Sequence, residues 1–225
     1  LVSHLAKDLG LNGLRIAVQG FGNAGQHIAR LFAADGHKIV AVSDSQGAVK
    51  SEAGLDIDML VETKDKGHSV ASTVGQGGHQ FLSADELVGV DCDLLVPAAL
   101  ENMIDENNAA SVKAKLILEL ANGPLTSEAD AILARNGVVV LPDILANAGG
   151  VTVSYFEWVQ NRQGFYWDIE EIQERLRMVM EREGRAIWNV SRDKGITVRT
   201  AAYVSALGRL AEAIEAHGTQ SFFTS

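Results

Sequence analysis

The chain has 225 residues, 47% of them hydrophobic, which is enough apolar material for a packed core in one or two domains. Lys plus Arg number 19 and Asp plus Glu 29, a formal charge of −10 that argues against nucleic acid or anionic membrane as the main partner. A single cysteine, Cys92, excludes an internal disulfide framework and fits a reducing, cytoplasmic setting, and no apolar run reaches the roughly 18 residues of a membrane span.

The opening stretch "LVSHLAKDLGLNG" lacks the basic start and apolar centre of a signal peptide, and it lacks an initiating Met. Helical spacing at Leu1, Leu5 and Leu9 begins at once, so the expectation is a piece of something longer. "LRIAVQG" (14–20) is a β-compatible run that ends at glycine. "AGQHIARLFAADG" (24–36) carries helical spacing at Ile28, Leu31 and Phe32, and "HKIVAVSD" (37–44) reads as a second buried strand. Strand, glycine turn, helix and strand within about 30 residues make a βαβ unit. Residues 56–67 read as a helix, and Ser83 with Glu86 forms a capping box that opens 83–89. The alternation then runs strand (92–99), short helix (105–114), strand (115–121), helix (126–137) and strand (138–143).

After Asp143 the strand signal ends. Residues 144–164 mix a Gly-Gly turn with an aromatic helix. In 168–193, Asp168 and Glu171 form a capping box, and Ile169, Ile172, Leu176, Val179 and Ile187 form an inward stripe; 199–218 is a last helix closing on glycine. The expected fold is α/β: a doubly wound, mostly parallel sheet of the Rossmann type with a helical C-terminal extension. The expected division is 1–165 for the dinucleotide-binding domain and 166–225 for the extension.

The stretch "VQGFGNAGQHIARLF" (18–32) carries the chemistry. Gly20, Gly22 and Gly25 stand at the spacing G-x-G-x-x-G, with a strand before and a helix after. Gly20 would allow the tight turn, Gly22 would let backbone approach a pyrophosphate, and Gly25 would let helix pack on strand. Phe21, Asn23 and Ala24 complete this cradle, whose free amides and helix dipole favour a phosphate. Asp44 closes the second strand, where a carboxylate can accept both ribose hydroxyls of the adenosine half. It would also repel a 2′-phosphate, and no Arg or Lys lies between it and Lys50. NAD is therefore favoured over NADP, although Ser45 or Gln46 could still accommodate a phosphate.

At "VPAALENM" (96–103), "ELANGPLTSEAD" (119–130) and above all "PDILANAGGVTVSYFEW" (142–158), the sequence resembles the cofactor-binding domain of the glutamate dehydrogenases. That group belongs to the amino-acid dehydrogenases that also act on leucine, valine and phenylalanine. The resemblance runs from about Leu5 to Gly218. It implies that Ala98 and Ala99, after Pro97, lie beside a nicotinamide, and that Asn122 and Asn147 lie near its ribose or carboxamide. It implies that Val151 and Ser154 reach a substrate pocket, with Ser154 bonding the side-chain carboxylate of glutamate. It further implies reversible oxidative deamination of L-glutamate to 2-oxoglutarate and ammonia, with hydride passing to the nicotinamide C4, and a homo-oligomeric complete enzyme.

The low-pKa lysine, the proton-transfer aspartate and the substrate-holding lysines of such enzymes belong to an N-terminal domain that no segment here resembles. No catalytic residue is therefore assigned to this chain. Lys64, Lys66, Lys113 and Lys115 read as solvated surface groups. The six histidines (4, 27, 37, 68, 79 and 217) show no metal-ligand spacing, and Cys92, between Asp91 and Asp93, reads as inert. A leucine, valine or phenylalanine dehydrogenase and a stand-alone, non-catalytic NAD-binding module remain open as alternatives.

Overall fold

A computed structural model of the chain describes residues 2–217. The start at Leu1 and the close of the last helix on Gly218 lie outside the described residues. Tertiary contacts divide the chain into two units, Leu1–Asn147 and Ala148–Ser225.

The first unit begins with α1 (Val2–Asp8), followed by β1 (Arg15–Gln19), α2 (Asn23–Ala34) and β2 (Lys38–Asp44). Next come β3 (Gly47–Lys50), α3 (Ile57–Asp65) and β4 (Gln80–Leu82). The unit ends with β5 (Leu94–Pro97), β6 (Leu116–Leu118), α4 (Ser127–Arg135), β7 (Val139–Leu141) and the single turn α5 (Asp143–Ala146). The strands form one seven-stranded sheet in the order β4-β3-β2-β1-β5-β6-β7. The β2–β1, β1–β5, β5–β6 and β6–β7 pairings are parallel, while β2–β3 and β3–β4 are antiparallel. This is the doubly wound, mostly parallel architecture expected from the strand–helix alternation.

Ile16, Val18, Leu94 and Leu116 alternate along their strands with Ala17, Leu95 and Ile117, and all are fully buried. Both faces of the sheet are covered, so these strands read as continuous apolar runs rather than as alternating ones. Ala17, Leu95 and Ile117 join Leu87, Ala129 and Leu133 in one core cluster. The chain builds outward from β1 to β4, then returns to lay β5 along the other side of β1. The reversal beside β1 is a topological switch point, where open α/β sheets hold their ligands.

Two local expectations are revised, and two edge strands stand where the sequence reading placed no element. The segment 105–114 forms only a 3-10 turn at Ala109–Ser111. Asp105 Oδ1 accepts from the amides of Asn107 and Asn108, and Asn108 Oδ1 accepts from the Asp105 amide, so the start is capped, but the turn does not continue past Ser111. The edge strands β3 and β4, four and three residues long, are too short to show a period. The Gly149–Gly150 pair opens a helix instead of making a turn. The Ser83–Glu86 capping box is present in full: the Glu86 carboxylate accepts from the Ser83 amide at 2.9 Å, and the Glu86 amide donates to Ser83 Oγ at 3.3 Å.

The second unit holds α6 (Gly149–Gln163), α7 (Ile169–Lys194) and α8 (Val198–His217). α6 groups with the helices rather than with the sheet, whereas the sequence reading divides the chain at 165/166. The connection into α7 accounts for this: the Trp167 amide donates to Gln160 Oε1 at 2.7 Å, Phe156 meets Trp167 edge-on, and Arg175 of α7 lies over the Trp167 ring. Left-handed Gly164 and Gly195 end α6 and α7. Asp168 caps α7 by accepting from the Glu171 amide at 2.8 Å, while the Glu171 carboxylate turns to Arg175. Of the expected stripe, Ile187 is buried, Ile172, Leu176 and Val179 are half-buried, and Ile169 is exposed. Arg209 reaches from α8 to Glu183 on α7 at 2.6 Å.

Candidate functional site

The strand ends at the switch point open into a cleft of about 720 Å³. Its floor and one wall are the turn from β1 into α2. Gly20 has φ +101°, and a Cβ there would stand 2.6 Å from the Ala99 Cβ. A Cβ on Gly25 would stand 1.9 Å from the Gly20 carbonyl oxygen. Gly22 differs: its φ is −85°, and an added Cβ would meet nothing within 4 Å. Two of the three glycines are therefore required by the turn itself, and the third faces open space.

The amides of Gly20 and Phe21 both donate to the Ser43 carbonyl, at 3.1 and 2.6 Å, so they are taken by the fold. Gln26 Nε2 braces the turn by donating to the Phe21 carbonyl. The first helical bond of α2 runs from the Gln26 amide to the Gly22 carbonyl. The amides of Asn23, Ala24 and Gly25 precede it and have no acceptor within the helix. No side chain caps this end, and no acidic residue lies in its first turn. The end of α2 thus presents donors and a positive dipole to the cleft.

Asp44 and Ser45 line the cleft beyond this turn, as does Lys64 of α3. The Asp44 side chain is only 7% exposed and accepts four bonds, each 2.9 Å long: from the Gln46 amide, Ser69 Oγ, the Val70 amide and Lys64 Nζ. Burial alone would raise its pKa. Lys64, the two amides and Ser69 outweigh burial and hold it below the usual carboxylate range. Lys64 is therefore not a solvated surface group. It supplies, from twenty residues downstream, the counter-charge that the sequence lacks between Asp44 and Lys50.

Ala98 and Ala99 line the opposite end of the cleft with Leu100, at the end of β5. Asn122 and Asn147 lie past the ends of β6 and β7, outside the cleft lining. They are joined to each other, Asn147 Nδ2 donating to Asn122 Oδ1 at 2.7 Å. Beside them Glu119, fully buried, accepts from the Asp143 amide at 2.7 Å, and Asp143 Oδ2 accepts from the Gly123 amide at 2.8 Å. These two carboxylates fix the backbone that carries both asparagines. The sequence signal for Glu119 was its place inside the apolar run "KLILELA". Val151 and Ser154 are both exposed on α6, three residues apart and hence on one helix face.

One further lining residue stands out. Gln19, the last residue of β1, is 3% exposed, and its Oε1 is buried with no hydrogen-bond partner. Elsewhere, burial pushes the Cys92 thiol up to about 12, so its inertness comes from burial first and from Asp93 and Asp91 second. Among the described residues no three His, Cys, Asp or Glu side chains cluster to hold a metal, and no helix is long and apolar enough to cross a membrane.

Residues 1–218 match the model of the Glutamate/Leucine/Phenylalanine/Valine dehydrogenase family. The chain belongs to this family. It is similar to the NADP-specific glutamate dehydrogenase of Synechocystis sp., with 49% identity over 214 residues, 92% of this chain and 50% of that protein. It is also similar to the NAD-specific glutamate dehydrogenase of Staphylococcus aureus, with 44% identity over 212 residues, 94% of this chain and 50% of that protein. Among solved structures, the hetero-hexameric glutamate dehydrogenase of Thermus thermophilus in its Leu-bound form superposes with a TM-score of 0.86 at 33% identity, covering 96% of this chain and 51% of that one. The chain thus spans about half the length of the dehydrogenases it matches.

Proposed function

We propose that this chain is the dinucleotide-binding half of an NAD(P)-dependent glutamate dehydrogenase, one that interconverts L-glutamate with 2-oxoglutarate and ammonia. The observation that carries the reading is the cleft at the switch point, where open space above Gly22 meets the uncapped N-terminus of α2. A pyrophosphate fits there: only a residue without a side chain leaves room for it, and the free amides supply donors. Ser45 would border the adenosine ribose, and Asp44 would accept a ribose hydroxyl by giving up one of its four bonds. Ala98 and Ala99 would lie along the nicotinamide, with the Asn122–Asn147 pair offering amides to its ribose or carboxamide. A bound nicotinamide supplies the hydride-accepting carbon, and this chain's residues supply position and electrostatics. Val151 and Ser154 would face the substrate. The names of the similar proteins support glutamate as that substrate.

The catalytic lysine and aspartate would come from sequence beyond this half, and the complete enzyme would be a homo-oligomer. The 225-residue chain alone should bind NADH or NADPH yet form no reduced cofactor from glutamate. Measurable glutamate-dependent reduction of NAD or NADP by the purified chain would overturn this assignment.

The Lys64–Asp44 pair bears on cofactor choice. Lys64 pairs the Asp44 charge, so Asp44 alone does not exclude a 2′-phosphate. Lys64→Met should leave the carboxylate uncompensated and lower the NADPH-to-NADH affinity ratio on the order of tenfold. Fluorescence titration with both reduced cofactors checks this, and an unchanged ratio would remove Lys64 from the discrimination.

A further inference from the structure

Buried polar atoms in folded proteins nearly always find a partner, because an unmatched one costs the full desolvation of the group. Among the described side chains, Gln19 Oε1 is the buried atom that lacks one. Its neighbours on the adjacent strands do not satisfy it. Gln19 pairs in register with Ser43 on β2 and with Pro97 on β5. Pro97 has no N–H and an apolar ring. The Ala98 amide donates to the Gln19 backbone carbonyl at 2.8 Å rather than to Oε1, and the Ser43 hydroxyl, which accepts from the Gly20 amide at 3.2 Å, is not bonded to Oε1 either. Gln19 nevertheless lines the cleft, at the centre of the row of strand ends, between the Ser43–Ser45 side and the Ala98–Leu100 side.

Resting on the dinucleotide reading of this cleft, we propose that Gln19 is a cofactor-positioning residue. Its Oε1 is satisfied when the cleft is filled, by a ribose hydroxyl of the dinucleotide or by a water that the dinucleotide holds against the floor. An amide oxygen accepts and cannot donate, so the matching group is a donor such as a hydroxyl or a water, not a phosphate oxygen. The unmatched acceptor is a cost carried by the empty fold and relieved on binding, which makes the residue a contributor to affinity rather than to stability.

The two readouts move in opposite directions. Gln19→Met is close in volume and removes the unmatched group. The melting temperature of the chain without cofactor should hold or rise, while the Kd for NADH should rise about three- to tenfold. Gln19→Leu serves the same purpose should the thioether pack badly. A purely structural glutamine would lower stability and affinity together, and that result overturns the proposal. So does unchanged NADH affinity in both variants, with the wild-type chain still binding. If the wild-type chain binds neither NADH nor NADPH, the reading of the cleft itself fails, and the proposal with it.

Discussion

Gly25→Ala should destabilise the chain by about 3 kcal/mol and abolish saturable dinucleotide binding. The new methyl would stand 1.9 Å from the Gly20 carbonyl oxygen, a backbone atom that cannot rotate away. Relief requires α2 to lift off β1, which also moves the free amides away from the cleft. Gly22→Ala supplies the contrast. Its φ of −85° suits any residue and its surroundings are open, so folding should be unchanged, or stabilised by about 0.4–1 kcal/mol through the unfolded chain. Affinity for NADH should nevertheless fall on the order of tenfold or more, because the methyl occupies the approach path of the pyrophosphate. Urea denaturation and NADH titration of both variants separate the two roles. Full affinity in Gly22→Ala, or its unfolding, would contradict the sorting of these glycines into one for the ligand and two for the turn.

The second large effect concerns the substrate and is read in the complete enzyme. If Ser154 bonds the γ-carboxylate of glutamate, Ser154→Ala removes a charge-assisted bond contributing about 1.5–3 kcal/mol. The value of kcat/KM for glutamate should then fall on the order of ten- to a hundredfold. Norvaline, whose side chain has no carboxylate, should react as well as before or better. Exposure of Ser154 on α6 beside Val151 is compatible with this role. An equal fall for both substrates would move Ser154 from the pocket into the packing of the helix.

The parts of the site that were legible in the sequence are those whose geometry is local. Gly20, Gly22 and Gly25 fall within one strand–turn–helix, where spacing alone dictates which residue must lack a Cβ. The capping residues Ser83 and Asp168 act within three positions: the Ser83–Glu86 box is complete, and Asp168 caps α7 while Glu171 turns to Arg175 instead of closing its box. What escaped depends on the fold bringing distant residues together. Lys64 is paired with Asp44 only because α3 packs beside the end of β2, and Ser69 and Val70 reach the same carboxylate from the following turn. The edge strands β3 and β4 owe their existence to pairing partners rather than to their own few residues. The helix expected at 105–114 is capped at its start by Asp105 and Asn108 but shrinks to a 3-10 turn at Ala109–Ser111. Gln19 was invisible as a site residue because an amide inside "RIAVQ" reads as a strand end until the lack of a partner is seen.

On the proposed function, the cleft at the switch point receives a dinucleotide. The most direct measurement of this is a titration of the 225-residue chain with NADH and NADPH, followed by nicotinamide fluorescence, alongside the same titration of Gly22→Ala. Saturable binding of at least one cofactor, weakened in a variant whose unfolding curve matches the parent, is the expected result. A cooperatively folded chain that binds neither cofactor, or one whose binding is indifferent to Gly22, would contradict it.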